Sequence, residues 1–145
     1  MAVEIIQLKE VSKSILDDVN GLLAQLRGDE SKNHGTVAEL NEVVGNKGVA
    51  IIVAKDGKRI VGMGFLYLMV HIGRRTGHIE DVVVDEAFRG QGLGEKIVQK
   101  LIAAARENNL GTIYLTSRPS RVAANKLYQK LGFMEKETNV YKLPL

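Results

Sequence analysis

Cysteine is absent from the 145-residue chain. That excludes disulfide staples, a zinc-finger-type site and any cysteine nucleophile. Aromatic residues are scarce, at 5%, and the net charge of +3 is spread without a long basic run. A nucleic-acid binder wants a concentrated Lys/Arg face with aromatics to stack on, so no nucleic-acid partner is expected. No apolar run approaches the ~20 residues of a membrane span, and no membrane partner is expected either. The opening MAVEIIQLKE carries charges within a few residues and lacks the apolar core of a signal peptide. A cytoplasmic protein is the expectation. The three histidines, His34, His71 and His78, show no metal-ligand spacing, so no metal is expected. What is present is ordinary for a globular protein, 45% hydrophobic and 26% charged. It suffices for one domain over residues 1–145 with a real core.

Taken in order, Val3 to Leu8 alternates as a first strand. Ser12 or Ser14 caps a helix to about Leu26, with Ile15, Leu16, Val19, Leu22, Leu23 and Leu26 on its apolar stripe. Arg27 to Gly35 is a polar surface loop, and Thr36 with Glu39 forms a capping box for a short helix ending near Gly45. Val49 to Lys55 and Ile60 to Val70 are strands joined at the Asp56-Gly57 hairpin signal. Gly62 and Gly64 within the second mark a bulge or a close backbone approach. A turn over Ile72 to Thr76, exposing Arg74 and Arg75 at its tip, leads to a central strand from His78 to Val84. A long helix from Gly92 to about Asn108 carries Leu93, Ile97, Val98, Leu101, Ile102 and Ala105 on one side. Thr112 to Thr116 has the apolar character of a buried parallel strand. Arg121 to Leu131 is a helix stopped by Gly132, and Phe133 to Glu137 and Val140 to Leu143 are two final strands. The order β-α-α-β-β-β-α-β-α-β-β makes an α/β chain with a mixed sheet and helices on both faces. Its parallel pairing lies at the strand–helix–strand crossover of the second half.

The chemistry concentrates in GHIEDVVVDEAFRGQGLGEKIVQ, from Gly77 to Gln99. A strand runs into glycines from which a helix opens, the outline of a phosphate cradle. Glycine lets an anion approach the backbone, and the first helical N–H groups have no intrahelical partners. The P-loop pattern fails because Glu95 and Lys96 follow Gly94 without Gly-Lys-Ser/Thr. The dinucleotide fingerprint fails because Glu95 stands where its third glycine belongs.

What remains, Arg89-x-x-Gly92-x-Gly94 after a strand, resembles the acetyl-CoA pyrophosphate motif of the GCN5-related N-acetyltransferases, the GNAT family. A second segment, from Ala124 to Phe133 with Tyr128, Gly132 and Phe133, resembles that family's A-x-x-x-Tyr-x-x-x-Gly-Phe. The resemblance covers almost the whole chain. It implies a six- to seven-stranded, mostly antiparallel sheet whose central parallel pair splays to admit the pantetheine arm of acetyl-CoA. The backbone of Gly90, Gln91, Gly92, Leu93 and Gly94, with Arg89, is then expected to hold the pyrophosphate, and Val82, Val83 and Val84 the pantetheine. Asn125, one helical turn before Tyr128, is expected at a pantetheine amide. By the same resemblance Tyr128 is the acid that protonates the leaving thiolate.

The base is open between Glu80, Asp81 and His78. Adjacent strand residues point to opposite faces, and Glu80 is preferred because alternation puts it on the face of Val82. The implied activity is direct transfer from acetyl-CoA to a primary amine of a small molecule of amino sugar, polyamine or amino acid type. A protein or peptide acceptor, with a groove beside Arg27 to Gly35, is the alternative, and a non-catalytic acyl-CoA sensor is a third reading. Gly77 to Asp81 followed by Arg89 to Gly94 looks most like the glucosamine-phosphate members. Ser117 to Arg121 departs from them, with Arg121 standing where many members carry Asn. The resemblance also makes a homodimer an expectation.

Overall fold

The computed structural model describes residues 2–28 and 35–145. The chain divides into two compact units, Met1–Leu115 and Thr116–Leu145. In the first unit, β1 (Glu4–Gln7), β2 (Val49–Asp56), β3 (Arg59–His71), β4 (Arg74–Val84) and β5 (Thr112–Tyr114) form one sheet in sequence order. Every neighbouring pair is antiparallel except β4 and β5. Helices α1 (Lys13–Arg27) and α2 (Val37–Gly45) precede β2, and α3 (Leu93–Glu107) joins β4 to β5. The second unit holds α4 (Val122–Lys130).

Local signals set the helix ends. The Ser12 hydroxyl accepts from the Ile15 N–H to start α1, and Gly28, left-handed at φ 66°, returns its N–H to the Ala24 carbonyl to end it. Thr36 and Glu39 make both bonds of the expected capping box on α2. The polar stretch expected to border the acceptor falls largely on residues 29–34, outside the described residues.

The sheet is covered on both faces. On one, Ile15, Leu16, Val19 and Leu22 of α1 and Leu40 of α2 bury Val53, Met63, Phe65 and Val83. Each fully buried aliphatic side chain contributes about 1.5–3 kcal/mol. On the other, α3 lies close on β3: a Cβ at Gly64 would stand 2.9 Å from Ile97 Cγ2 and Leu101 Cδ1. Gly64 thus marks the close approach expected of it.

It also faces a bulge. Between the pairs Met63–Val83 and Phe65–Glu80, the single residue Gly64 opposes two residues of β4, Asp81 and Val82. Asp81 takes φ 51°, rare for a residue with a side chain. Alternation breaks there. Val82 points to the α3 face, with Cγ2 3.3 Å from where a Gly64 Cβ would be. Glu80, paired with Phe65, stays on the α1 face. The expected sharing of a face by Glu80 and Val82 is therefore corrected: one extra residue in the strand inverts the side chains beyond it.

Three other expectations change. The β3–β4 hairpin closes through Ile72 and Gly73, with Gly73 at φ 83°, so Arg74 and Arg75 pair with His71 and Val70 inside the ladder. One left-handed glycine suffices for the reversal, and the turn tightens. The parallel strand stops at Tyr114, short of Thr116. The sheet has five strands among the described residues, not six or seven, because neither Phe133 to Glu137 nor Val140 to Leu143 forms one. Alternation makes a segment strand-like, but only ladder bonds to a neighbour make it a strand. Met134, Val140, Tyr141 and Leu143 accordingly remain exposed.

Candidate active site

Where β4 ends, Asp85 turns the chain. It is 6% exposed. Its carboxylate accepts from the Ala87 N–H at 3.0 Å and from the Arg59 guanidinium at 2.7 Å, while its own N–H donates to the Val61 carbonyl. Arg59 also lies 5.9 Å from the centroid of the Phe88 ring. The single 3₁₀ turn Glu86–Phe88 is thereby pinned to β3.

Arg89, Gly90, Gln91 and Gly92 follow, all exposed. Gly90 and Gly92 have φ 80° and 78°, and a Cβ at either would meet nothing within 4 Å. Gly92 caps α3 and, having no side chain, makes no cap bond to the first-turn N–H groups. Gly94 lies in that first turn, and Leu93 is buried beneath it. Left-handed glycines, open space and an uncapped helix start fit a pyrophosphate.

Two groups expected to face the cofactor are already engaged. Arg89 Nε donates to the Val84 carbonyl at 2.9 Å, folding the side chain back over the strand end. Parallel pairing runs only from Thr76–Thr112 to His78–Tyr114. From Ile79 to Val84 that edge of β4 has no strand partner among the described residues. On that edge the Val84 carbonyl already has its donor, and Val83, expected at the pantetheine, pairs with Met63 and turns its backbone to β3 instead.

The carboxylates gather a residue to which the sequence alone assigns no role. Tyr67 is half-buried, and burial pushes its hydroxyl above the usual pKa of 10.0, with the charges of Asp81 and Glu80 pushing it further. Its ring stacks with Phe65 at 6.3 Å and 11°. His78 pairs across the ladder from Tyr67, and its ring lies 5.6 Å from that of Tyr114. Glu80 is exposed and Asp81 half-buried.

In the second unit Tyr128 is buried on α4, its ring edge-on to Phe133 at 5.8 Å. Burial raises its pKa, and Arg121 opposes the rise by its charge and by a hydrogen bond. Arg121, the departure noted in the sequence, therefore acts directly on the tyrosine hydroxyl. Asn125 Nδ2 donates to the carbonyls of Arg118 and Arg121, each at 2.9 Å, which leaves its Oδ1 for a ligand. Ser117 Oγ is buried with no hydrogen-bond partner among the described residues.

A mixed sheet with a bulged β4 and left-handed glycines at its end defines an α/β protein. Residues 17–133 match the model of the Acetyltransferase (GNAT) family, and the chain belongs to that family. A probable glucosamine 6-phosphate N-acetyltransferase 2 of Oryza sativa subsp. japonica is 39% identical over 93 residues, 59% of this chain and 54% of its own. The glucosamine 6-phosphate N-acetyltransferase of Trypanosoma brucei brucei is 38% identical over 82 residues, 54% of each chain. This chain spans about half the length of the curated relatives it matches. Among solved structures, glucosamine-6-phosphate N-acetyltransferase from Arabidopsis thaliana aligns with a TM-score of 0.80 at 25% identity over 99% of each chain. A Trypanosoma brucei acetyltransferase aligns at 0.78 and 30% identity, over 99% of this chain and 100% of that one.

Proposed function

We propose that this chain transfers the acetyl group of acetyl-CoA to the primary amine of a small molecule, by direct attack in a ternary complex. The observation that carries the reading is the cradle of Gly90 and Gly92 at the uncapped start of α3. The names of the relatives favour an amino sugar among the acceptors.

Acetyl-CoA supplies the acyl group as an activated thioester. The backbone N–H groups of Gly90 to Gly94 bind its pyrophosphate, aided by about half a unit of positive charge from the helix dipole. The open β4 edge between Ile79 and Val84 receives the pantetheine as an added strand. An alkylammonium has a pKa of about 10.4, so the amine must lose a proton before it attacks. Glu80 accepts that proton, directly or through water, and Asp81 adds a second charge that draws the ammonium in. Tyr128, protonated at neutral pH and the more so because burial raises its pKa, gives its proton to the leaving thiolate.

Calorimetric titration with acetyl-CoA tests the reading on the wild type and Gly92→Asp. The new Cβ meets open space, and Asp tolerates the left-handed conformation at a cost of about 1–2 kcal/mol, so the variant folds. A carboxylate in the pyrophosphate path should weaken binding at least about a hundredfold. Equal affinity in the folded variant would remove the cofactor assignment.

A further inference from the structure

Tyr67, His78 and Tyr114 come from three strands, and the sheet register sets them on one rung. Tyr67 pairs with His78 across β3 and β4, and His78 pairs with Tyr114 across β4 and β5. Directly opposed residues share a face of the sheet. That face is also Glu80's, since Glu80 pairs with Phe65 two residues along each strand. Asp81, thrown out of alternation by the bulge, brings its charge to bear on the Tyr67 hydroxyl from the same neighbourhood.

The core ends where this rung begins. Phe65 is buried among the side chains of α1, whereas Tyr67, His78 and Tyr114 are each partly open. Two of the chain's four tyrosines stand here, which concentrates ring surface beside the two carboxylates. Aromatic faces attract the C–H bonds of a flat or chair-shaped ring, and they attract cations. Carboxylates at one end of such a platform select an ammonium at one end of the ligand. A linear amine would satisfy the carboxylates and leave the rings unused.

Resting on the transferase reading above, we propose that Tyr67, His78 and Tyr114 form the platform on which a ring-shaped amine acceptor lies, its ammonium directed to Glu80 and Asp81. These residues then determine acceptor specificity without touching the donor.

The test compares glucosamine 6-phosphate with 1,4-diaminobutane at saturating acetyl-CoA, for the wild type and for Tyr67→Leu, Tyr114→Leu, Tyr67→Phe and Tyr114→Phe. The two positions lie on different strands, so a folding failure at one leaves the other informative. Each Leu variant should raise KM for the amino sugar about tenfold while kcat stays within about twofold. KM for diaminobutane should hold, the Phe variants should keep wild-type KM because the ring remains, and acetyl-CoA affinity should not move. Wild-type KM for the amino sugar in the Leu variants overturns the platform. So does an equal rise for both amines, or a wild type that binds acetyl-CoA and turns over neither. A wild type that fails to bind acetyl-CoA sinks the transferase reading itself and the platform with it.

Discussion

A tyrosine that protonates a leaving group must still hold its proton at the working pH. Tyrosine meets that requirement at neutral pH, and at Tyr128 burial raises the pKa further while Arg121 offsets part of the rise. Tyr128→Phe keeps the ring and its contact with Phe133 and removes only the hydroxyl. Turnover should fall about 10²–10³-fold, the range of a general acid, while acetyl-CoA affinity and stability change little. Wild-type turnover in Tyr128→Phe would make it a packing residue. Glu80 illustrates a different dependence at this scale. Its exposure beside Tyr67 follows from its pairing with Phe65, and nothing in its neighbours along the chain announces that partner.

At the scale of elements, the cradle depends on what holds the turn before it. Asp85 joins the Arg59 guanidinium of β3 to the Ala87 N–H of the 3₁₀ turn, so the glycines start from a fixed point. Asp85→Ala should destabilise the fold by about 1–3 kcal/mol, because the Ala87 N–H and the Arg59 guanidinium lose their shared, buried acceptor. It should also weaken acetyl-CoA binding, since the backbone donors of Gly90 to Gly94 are no longer aimed. Asp85→Asn keeps an oxygen for Ala87 and should recover part of both losses. Urea denaturation and calorimetry on the two variants measure this. Lost stability with unchanged affinity would show that the turn does not position the cradle. The bulge in β4 belongs to the same scale. It sends Val82 to α3 and leaves Glu80 toward α1, so one strand serves the core on one side and exposes a carboxylate on the other.

Across the whole molecule, the two tyrosines with shifted pKa values lie in different units and act on stability alike. Tyr67 and Tyr128 both have folded pKa values above 10.0. Between the unfolded and folded values, only the unfolded chain is ionised. Stability from both groups is therefore complete below pH 10 and is lost as pH rises from there through the folded values. Urea midpoints followed from below to above pH 10 should fall, and Tyr67→Phe should flatten the fall that Tyr67 contributes. An equally steep fall in Tyr67→Phe would assign the loss to other groups.

The sequence by itself determined what a few neighbouring residues can encode. The Ser12 cap, the Thr36 and Glu39 box, the Asp56-Gly57 reversal and the glycine run into α3 all lie in the structure where local chemistry put them. So does the apolar side of α3 that meets Gly62 and Gly64. Tertiary structure decided everything that depends on register. The bulge at Asp81 and Val82 inverted the faces of a strand whose alternation was otherwise regular. The meeting of Tyr67 with Glu80 and Asp81, and the rung it shares with His78 and Tyr114, join residues on three strands. Two strands expected after Gly132 did not form. A cap or a tight turn is satisfied by its own neighbours in the chain, whereas a strand and the face it presents exist only through the partner that the folded sheet supplies.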